Sequence, residues 1–201
     1  MNATVASDNT TVLLPKNRGL AAQLSHVLDA KAWERCAPRA VKGEDVPYLA
    51  NELARAGRRV LAFTGEDLVE EWLAAGNALD LRLSRSRMLW RDPQAIYGAP
   101  ALCLIGSPAG DLAAGETDDA EPVRIAVCAR YRRLAERFLT QWTARPYELV
   151  PIAGSVETVL LSGVAELMID IVVTGRTLRE AGLSVLRVIS TSDLAVLETR
   201  W

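Results

Sequence analysis

The chain has 201 residues, half of them hydrophobic, enough to bury a core as one large domain or as two small lobes. A net charge of −2 argues against nucleic acid or an anionic membrane surface as the main partner. No apolar run reaches the ~20 residues needed to cross a bilayer.

The polar N-terminus, MNATVASDNTT, lacks the basic-plus-apolar layout of an export signal, so a reducing cytoplasm is the expected compartment. Val12–Leu14 reads as a short strand, residues 15–19 (PKNRG) as a turn and residues 20–30 as a helix. Lys16 and Arg18 put two cations at that strand's C-terminal end, which suits either a phosphate-rich ligand or a solvated turn. His26, the sole histidine, leaves little for a histidine-based triad. Cys36, Cys103 and Cys128 are far apart and odd in number, so neither a disulfide frame nor a zinc site is expected.

Glu44-Asp45-Val46-Pro47 opens a helix that runs through Ala56. Arg59–Phe63 is the next strand, followed by a Thr64-Gly65-Glu66-Asp67 turn and a helix over 68–75. Residues 81–91 alternate in part between Arg or Ser and apolar residues, predicting a strand with one basic face. That Arg cluster, and a second at Arg130, Arg132, Arg133 and Arg137, read as solvated faces, with local anion binding left open. Ala101–Ile105 is a strand, and residues 106–122, rich in Gly, Pro and acid, form a surface loop. Strand Val123–Cys128, an amphipathic helix over 131–142, strand Tyr147–Ile152 and a helix after Gly154-Ser155-Val156-Glu157 follow.

Leu167–Val173 is an apolar, β-branched run broken only by Asp170, expected as a buried and parallel strand. It ends in Thr174-Gly175-Arg176-Thr177-Leu178, with a helix predicted over 178–183. A strand, a small-residue turn with two hydroxyls and a helix start are suited to hold a phosphate. Asp170, near the strand's C-terminal end, could accept hydrogen bonds from a sugar diol. A tight turn with a helix cap is the plainer alternative. Strands Ser184–Ile189 and Leu194–Glu198 close the chain. Alternating strands and helices predict an α/β fold with largely parallel sheets. Two lobes are expected, residues 1–90 with 180–201 returning to them, and 91–179, with a ligand cleft between.

These residues resemble the ATP phosphoribosyltransferase family. Its signature, E-x5-G-x-(small)-x2-(I/V)-x-D-(aliphatic)-x2-(S/T)-G-x-T-(L/M), is met in register by Glu157, Gly163, Ala165, Asp170, Ile171, Thr174, Gly175, Thr177 and Leu178, with Met168 in place of Ile or Val. Leu14-Pro15-Lys16 with Arg18, residues 63–67 (FTGED), residues 131–139 (YRRLAERFL) and residues 154–157 (GSVE) are similar to further family turns and helices. Arg85 and Arg87 match a basic family strand whose glycines here are Arg82 and Ser84; Val60 and Ala62 stand where the family has an acid and a glycine.

The resemblance implies a two-lobed type II periplasmic-binding-protein-like fold in its short form. It implies transfer of the phosphoribosyl group from phosphoribosyl pyrophosphate to N1 of ATP, the first step of histidine biosynthesis, with Mg²⁺ carried on the leaving pyrophosphate. Asp170 would hold the ribose hydroxyls, Thr174, Gly175, Arg176, Thr177 and Leu178 the 5′-phosphate, and Glu157 would lie near the ribose or the metal. Lys16, Arg18 and Arg85 would face pyrophosphate or ATP. A homo-oligomer (a dimer) and a regulatory subunit related to histidyl-tRNA synthetase are the implied partners. A paralogue making the same transfer in a specialised nucleoside pathway, and a non-catalytic subunit of the same fold, are the alternatives.

Overall fold

The computed structural model describes residues 10–25, 38–83, 89–90, 92–108, 121–143 and 145–199. His26, Cys36, Ser84, Arg85, Arg87, Arg91 and most of the acidic loop lie outside them. The chain divides into two compact units, Met1–Asp92 with Asp193–Trp201, and Pro93–Ser192. The return comes later than residue 180, because Ser184–Thr191 pairs along Ala101–Gly106 and so belongs to the second sheet.

The first unit contains β1 (Thr10–Pro15), α1 (Arg18–Ser25), β2 (Arg39–Val41), α2 (Val46–Arg55), β3 (Arg59–Gly65), α3 (Glu66–Ala74), β4 (Arg82–Leu83) and, from the chain's end, β10 (Leu194–Glu198). Its sheet has the order β2-β1-β3-β10-β4. Period-2 alternation sorts its apolar residues onto two faces. Leu13, Val60, Ala62, Ala195 and Leu197 pack with Val46 and Ala50 of α2 and Val69 of α3. Val12, Phe63 and Leu194 face the other way and pack with Leu24 of α1. Helices therefore cover both faces, which is why these strands read as continuous apolar runs. Each fully buried leucine, such as Leu197, contributes about 1.5–3 kcal/mol.

The second unit contains β5 (Ala101–Gly106), β6 (Val123–Cys128), α4 (Arg132–Trp142), β7 (Tyr147–Ile152), α5 (Val156–Leu161), β8 (Leu167–Val172), α6 (Arg176–Glu180) and β9 (Ser184–Thr191). Its sheet order is β7-β6-β8-β5-β9. The two sheets share one topology: first strand flanked by second and third, then a reversed strand, then the fourth. The expectation of largely parallel sheets is thereby refined. β5 runs antiparallel to both β8 and β9, and β10 antiparallel to both β3 and β4. Each reversed strand is the one the chain forms on entering or re-entering its unit, rather than a strand reached through a βαβ crossover.

Candidate active site

In the second unit β6, β7 and β8 run parallel, with Cys128 opposite Ile152 and Val127 opposite Ile169. Their C-terminal ends therefore share one rim, the edge where ligands bind in open α/β sheets. Three short segments leave that rim: residues 129–131 after β6, residues 153–157 after β7, and residues 173–177 after β8. The antiparallel β5 starts at the same rim, since Ala101 pairs with Val172.

Asp170 lies on β8 opposite Cys103. Its Oδ1 accepts the backbone N–H of Ile171 at 2.8 Å. Burial pushes the carboxyl above its ordinary range. The Ile171 N–H works against that rise, the Glu157 carboxylate adds to it and the Arg130 guanidinium opposes it. Glu157 is held in turn by its own loop. Ser155 Oγ donates to Glu157 Oε2 at 2.8 Å, and Thr158 Oγ1 donates to Ser155 Oγ at 3.1 Å.

Beyond Asp170 the strand ends at Val172, and the turn that follows passes through Gly175, whose φ of 63° and ψ of 12° lie in the left-handed region open mainly to glycine. The backbone N–H of Arg176 donates to Thr174 Oγ1 at 3.3 Å, and Arg179 Nη1 donates to the Thr174 carbonyl at 3.0 Å. The helix predicted from Leu178 begins earlier and is short, Arg176–Glu180, because the left-handed glycine starts it at once. A short helix has little dipole, so an anion at this turn would depend on the turn's own N–H and hydroxyl groups. Arg176 and Thr177 are exposed, with Arg176 Nε paired to Glu180 at 2.8 Å. Leu178 is buried and fastens the turn to the core. Glu157, Asp170 and the whole Thr174–Leu178 turn line one pocket of about 220 Å³, with Ile105 and Met168 among its apolar residues.

The remaining sequence-predicted residues belong to the first unit. Lys16 is exposed just past β1, its backbone N–H donating to the Val41 carbonyl at 2.7 Å, and Arg18 is the exposed first residue of α1. Arg85 lies outside the described residues. Among the described residues no set of three His, Cys, Asp or Glu gathers in a way that could hold a metal ion, and no helix is long and apolar enough to cross a membrane.

Two features escaped the sequence reading. The segment between Asp92 and Pro100 packs against the Thr174–Leu178 turn: Ile96 N–H donates to the Val173 carbonyl at 2.9 Å, and Ile96 Cδ1 lies 3.1 Å from where a Cβ on Gly175 would stand. It has no periodicity, and its proline-glycine punctuation reads only as loop. The second is the influence of Arg130 on Asp170; the sequence reads Arg130 only as part of a solvated cluster with local anion binding left open. Its position directly after an apolar strand was the available signal.

Two α/β units of matched topology, with a carboxylate and a hydroxyl-bearing turn at a strand's C-terminal end, define a protein of the type II periplasmic-binding-protein-like fold class. The chain resembles solved structures of that class: the ATP phosphoribosyl transferase (HisG:HisZ) complex from Thermotoga maritima, at TM-score 0.65 and 19% identity over 94% of this chain and 86% of that one, and the alkanesulfonate-binding protein SsuA from Xanthomonas axonopodis pv. citri, at TM-score 0.55 and 15% identity over 96% and 66%. A family model described as HisG, ATP phosphoribosyltransferase, matches residues 44–200. The chain is 31% identical over 148 residues to the ATP phosphoribosyltransferase of Syntrophotalea carbinolica, and 29% identical over 184 residues to that of Prochlorococcus marinus strain NATL1A. These matches cover 72% and 91% of this chain, but only 56% and 70% of the respective relatives. The chain belongs to the ATP phosphoribosyltransferase family.

Proposed function

We propose that the chain transfers the 5-phosphoribosyl group of phosphoribosyl pyrophosphate to N1 of ATP and releases pyrophosphate, the entry step of histidine biosynthesis. One observation carries this reading: Glu157, Asp170 and Thr174–Leu178, separate in sequence but in register with the family signature, line a single pocket. Asp170 accepts from the ribose hydroxyls. Those donors return hydrogen bonds to a carboxylate whose burial is otherwise costly. Thr174, Gly175, Arg176, Thr177 and Leu178 hold the 5′-phosphate through N–H and hydroxyl donors. Glu157 faces the ribose or the metal-bearing group, and Lys16, Arg18 and Arg85 face pyrophosphate or the phosphates of ATP. Mg²⁺ enters with the donor and, when bound, offsets charge on the leaving pyrophosphate.

The protein's own contribution is positioning and charge neutralisation, with no covalent intermediate on the chain. The reaction takes place in the cytoplasm, in a homo-oligomer that associates with a regulatory subunit related to histidyl-tRNA synthetase. The test uses the full chain with phosphoribosyl pyrophosphate, Mg²⁺ and ATP, with and without such a subunit, following phosphoribosyl-ATP by absorbance and mass. Product is expected, and Asp170→Ala should lower its rate by on the order of 10²-fold or more. Donor binding without product would point to a different acceptor. Neither product nor donor binding would sink the reading.

A further inference from the structure

The donor is a polyanion, yet the pocket presents two carboxylates, Asp170 and Glu157. A cation near Asp170 would offset their charge, and Arg176, in an exposed pair with Glu180, is one that lines the pocket. The sheet register supplies another. One step beyond the Val127–Ile169 pair, Cys128 comes alongside Asp170 on the neighbouring parallel strand. Arg130, two residues on, turns back over this row: its Nε donates to Cys128 Sγ at 3.2 Å. Its guanidinium carbon stands 5.9 Å from the centre of the Tyr131 ring, whose face supports the charge. The guanidinium thus lies on the β6 side of the row that holds Asp170, near enough for its charge to act on the Asp170 carboxyl. The opposite, β5 side carries the Asp92–Pro100 segment with the exposed apolar residues Ile96 and Tyr97.

We propose that Arg130 binds the pyrophosphate of the donor and so sets which way the sugar lies across Asp170. This rests on the phosphoribosyl-transfer reading. With the 5′-phosphate in the Thr174–Thr177 turn and the ribose hydroxyls on Asp170, the anomeric substituent goes to one side of β8 or the other. The cation on the β6 side stabilises a pyrophosphate there, whereas the apolar β5 side would desolvate it without a partner. A guanidinium in contact with the leaving group also offsets the negative charge that grows on it as the C1–O bond breaks.

The test compares the unaltered chain with Arg130→Met and Arg130→Lys. Calorimetry measures binding of three probes: Mg²⁺-pyrophosphate, ribose 5-phosphate and phosphoribosyl pyrophosphate. Arg130→Met should weaken pyrophosphate and the complete donor by about tenfold or more, a loss typical of a charge-assisted contact. It should leave ribose 5-phosphate within about twofold, and Arg130→Lys should recover part of the loss. The side chain is exposed, so the fold should survive, and an unchanged Tm checks this. Equal weakening of all three probes, or of none, overturns the assignment of Arg130 while leaving the site reading intact. An unaltered chain that binds neither ribose 5-phosphate nor the donor overturns the site reading and this proposal with it.

Discussion

Thr64-Gly65-Glu66-Asp67 and Thr174-Gly175-Arg176-Thr177 hold the same place in the same topology. Each stands where the third strand in the order of its sheet gives way to a helix. In the first unit the turn is sealed. Thr64 is fully buried and its Oγ1 donates to the Gly43 carbonyl at 2.8 Å. Gly65 is extended, with φ −78° and ψ 147°, and Asp67 is buried. The backbone N–H of Glu66 donates to the Asp193 carbonyl at 2.9 Å, so the turn also ties down the returning chain. In the second unit the glycine is left-handed, Thr177 is exposed and the turn lines a pocket. Four residues before each threonine stand Val60, fully buried, and Asp170, partly open. One scaffold thus gives a structural staple in one copy and a candidate phosphate site in the other. What separates them is the sign of one φ angle and the polarity of the residues around it.

Of the changes to the turn itself, altering that φ preference should have the largest effect on donor binding. Gly175→Ala puts a Cβ on a left-handed backbone and 3.1 Å from Ile96 Cδ1. The strain, roughly 1–3 kcal/mol, should distort the turn and weaken the donor by about tenfold to a hundredfold in a binding titration. Undiminished donor affinity would show that the left-handed turn is not what holds the phosphate.

The two threonine hydroxyls give a reciprocal pair. Thr177→Val should weaken ribose 5-phosphate and the donor by about tenfold, with Tm and ATP affinity unchanged. Thr64→Val removes one of two hydrogen bonds that the Gly43 carbonyl accepts, the other coming from the Val46 N–H, and costs about 0.5–1.5 kcal/mol. In a chain of this size that lowers Tm by about 2–4 °C per kcal/mol, with little effect on donor affinity. If the two variants exchanged phenotypes, the contrast between staple and site would collapse.

Much of this contrast is written in local sequence. The apolar runs of β3 and β8 identify buried strands because helices cover both faces of the first sheet, and Asp170 stands out because it interrupts one. Other parts depend on pairing that local sequence does not encode. β9 is only half-buried along its length, so nothing in its pattern says which sheet it joins; its pairing with β5 decides. Arg130 has the composition of a solvated arginine, and only the folded chain lets its charge act on the Asp170 carboxyl. The Asp92–Pro100 segment carries no period at all. Its role comes from one backbone hydrogen bond and one methyl group against a glycine.

A polar group buried for function should cost stability, and Asp170 offers that measurement. Its native carboxyl titrates above the unfolded value of about 3.9, mainly through burial. The native state then holds a proton that the unfolded state has already released, so stability falls as pH rises from the unfolded value through the native one. Asp170→Asn should therefore stabilise the fold at neutral pH, by about 1.4 kcal/mol for each unit of the upward shift and with a matching rise in Tm, while slowing transfer. The gain should shrink as pH falls through the native value and vanish below about 3.9. Thermal unfolding of both proteins from pH 3 to 8 reads this directly. A gain that persists at the acid end would place the cause in packing rather than in charge.

The smallest expected effect tests how the open turn keeps its shape. Ile96→Ala removes the methyl group that packs over Gly175 but keeps the backbone bond from residue 96 to Val173. Freed on one side, the turn should sample more conformations and raise KM for the donor a few-fold, with kcat and KM for ATP unchanged; Ile96→Leu, which keeps a δ-methyl, should restore part of the affinity. The same methyl group is what the new Cβ of Gly175→Ala meets. Combining the two substitutions relieves that contact but not the backbone strain, so the double variant should bind the donor better than the product of the single losses predicts. Strict additivity would mean that the left-handed φ alone sets the cost, and that the Asp92–Pro100 segment lies beside the turn without shaping it.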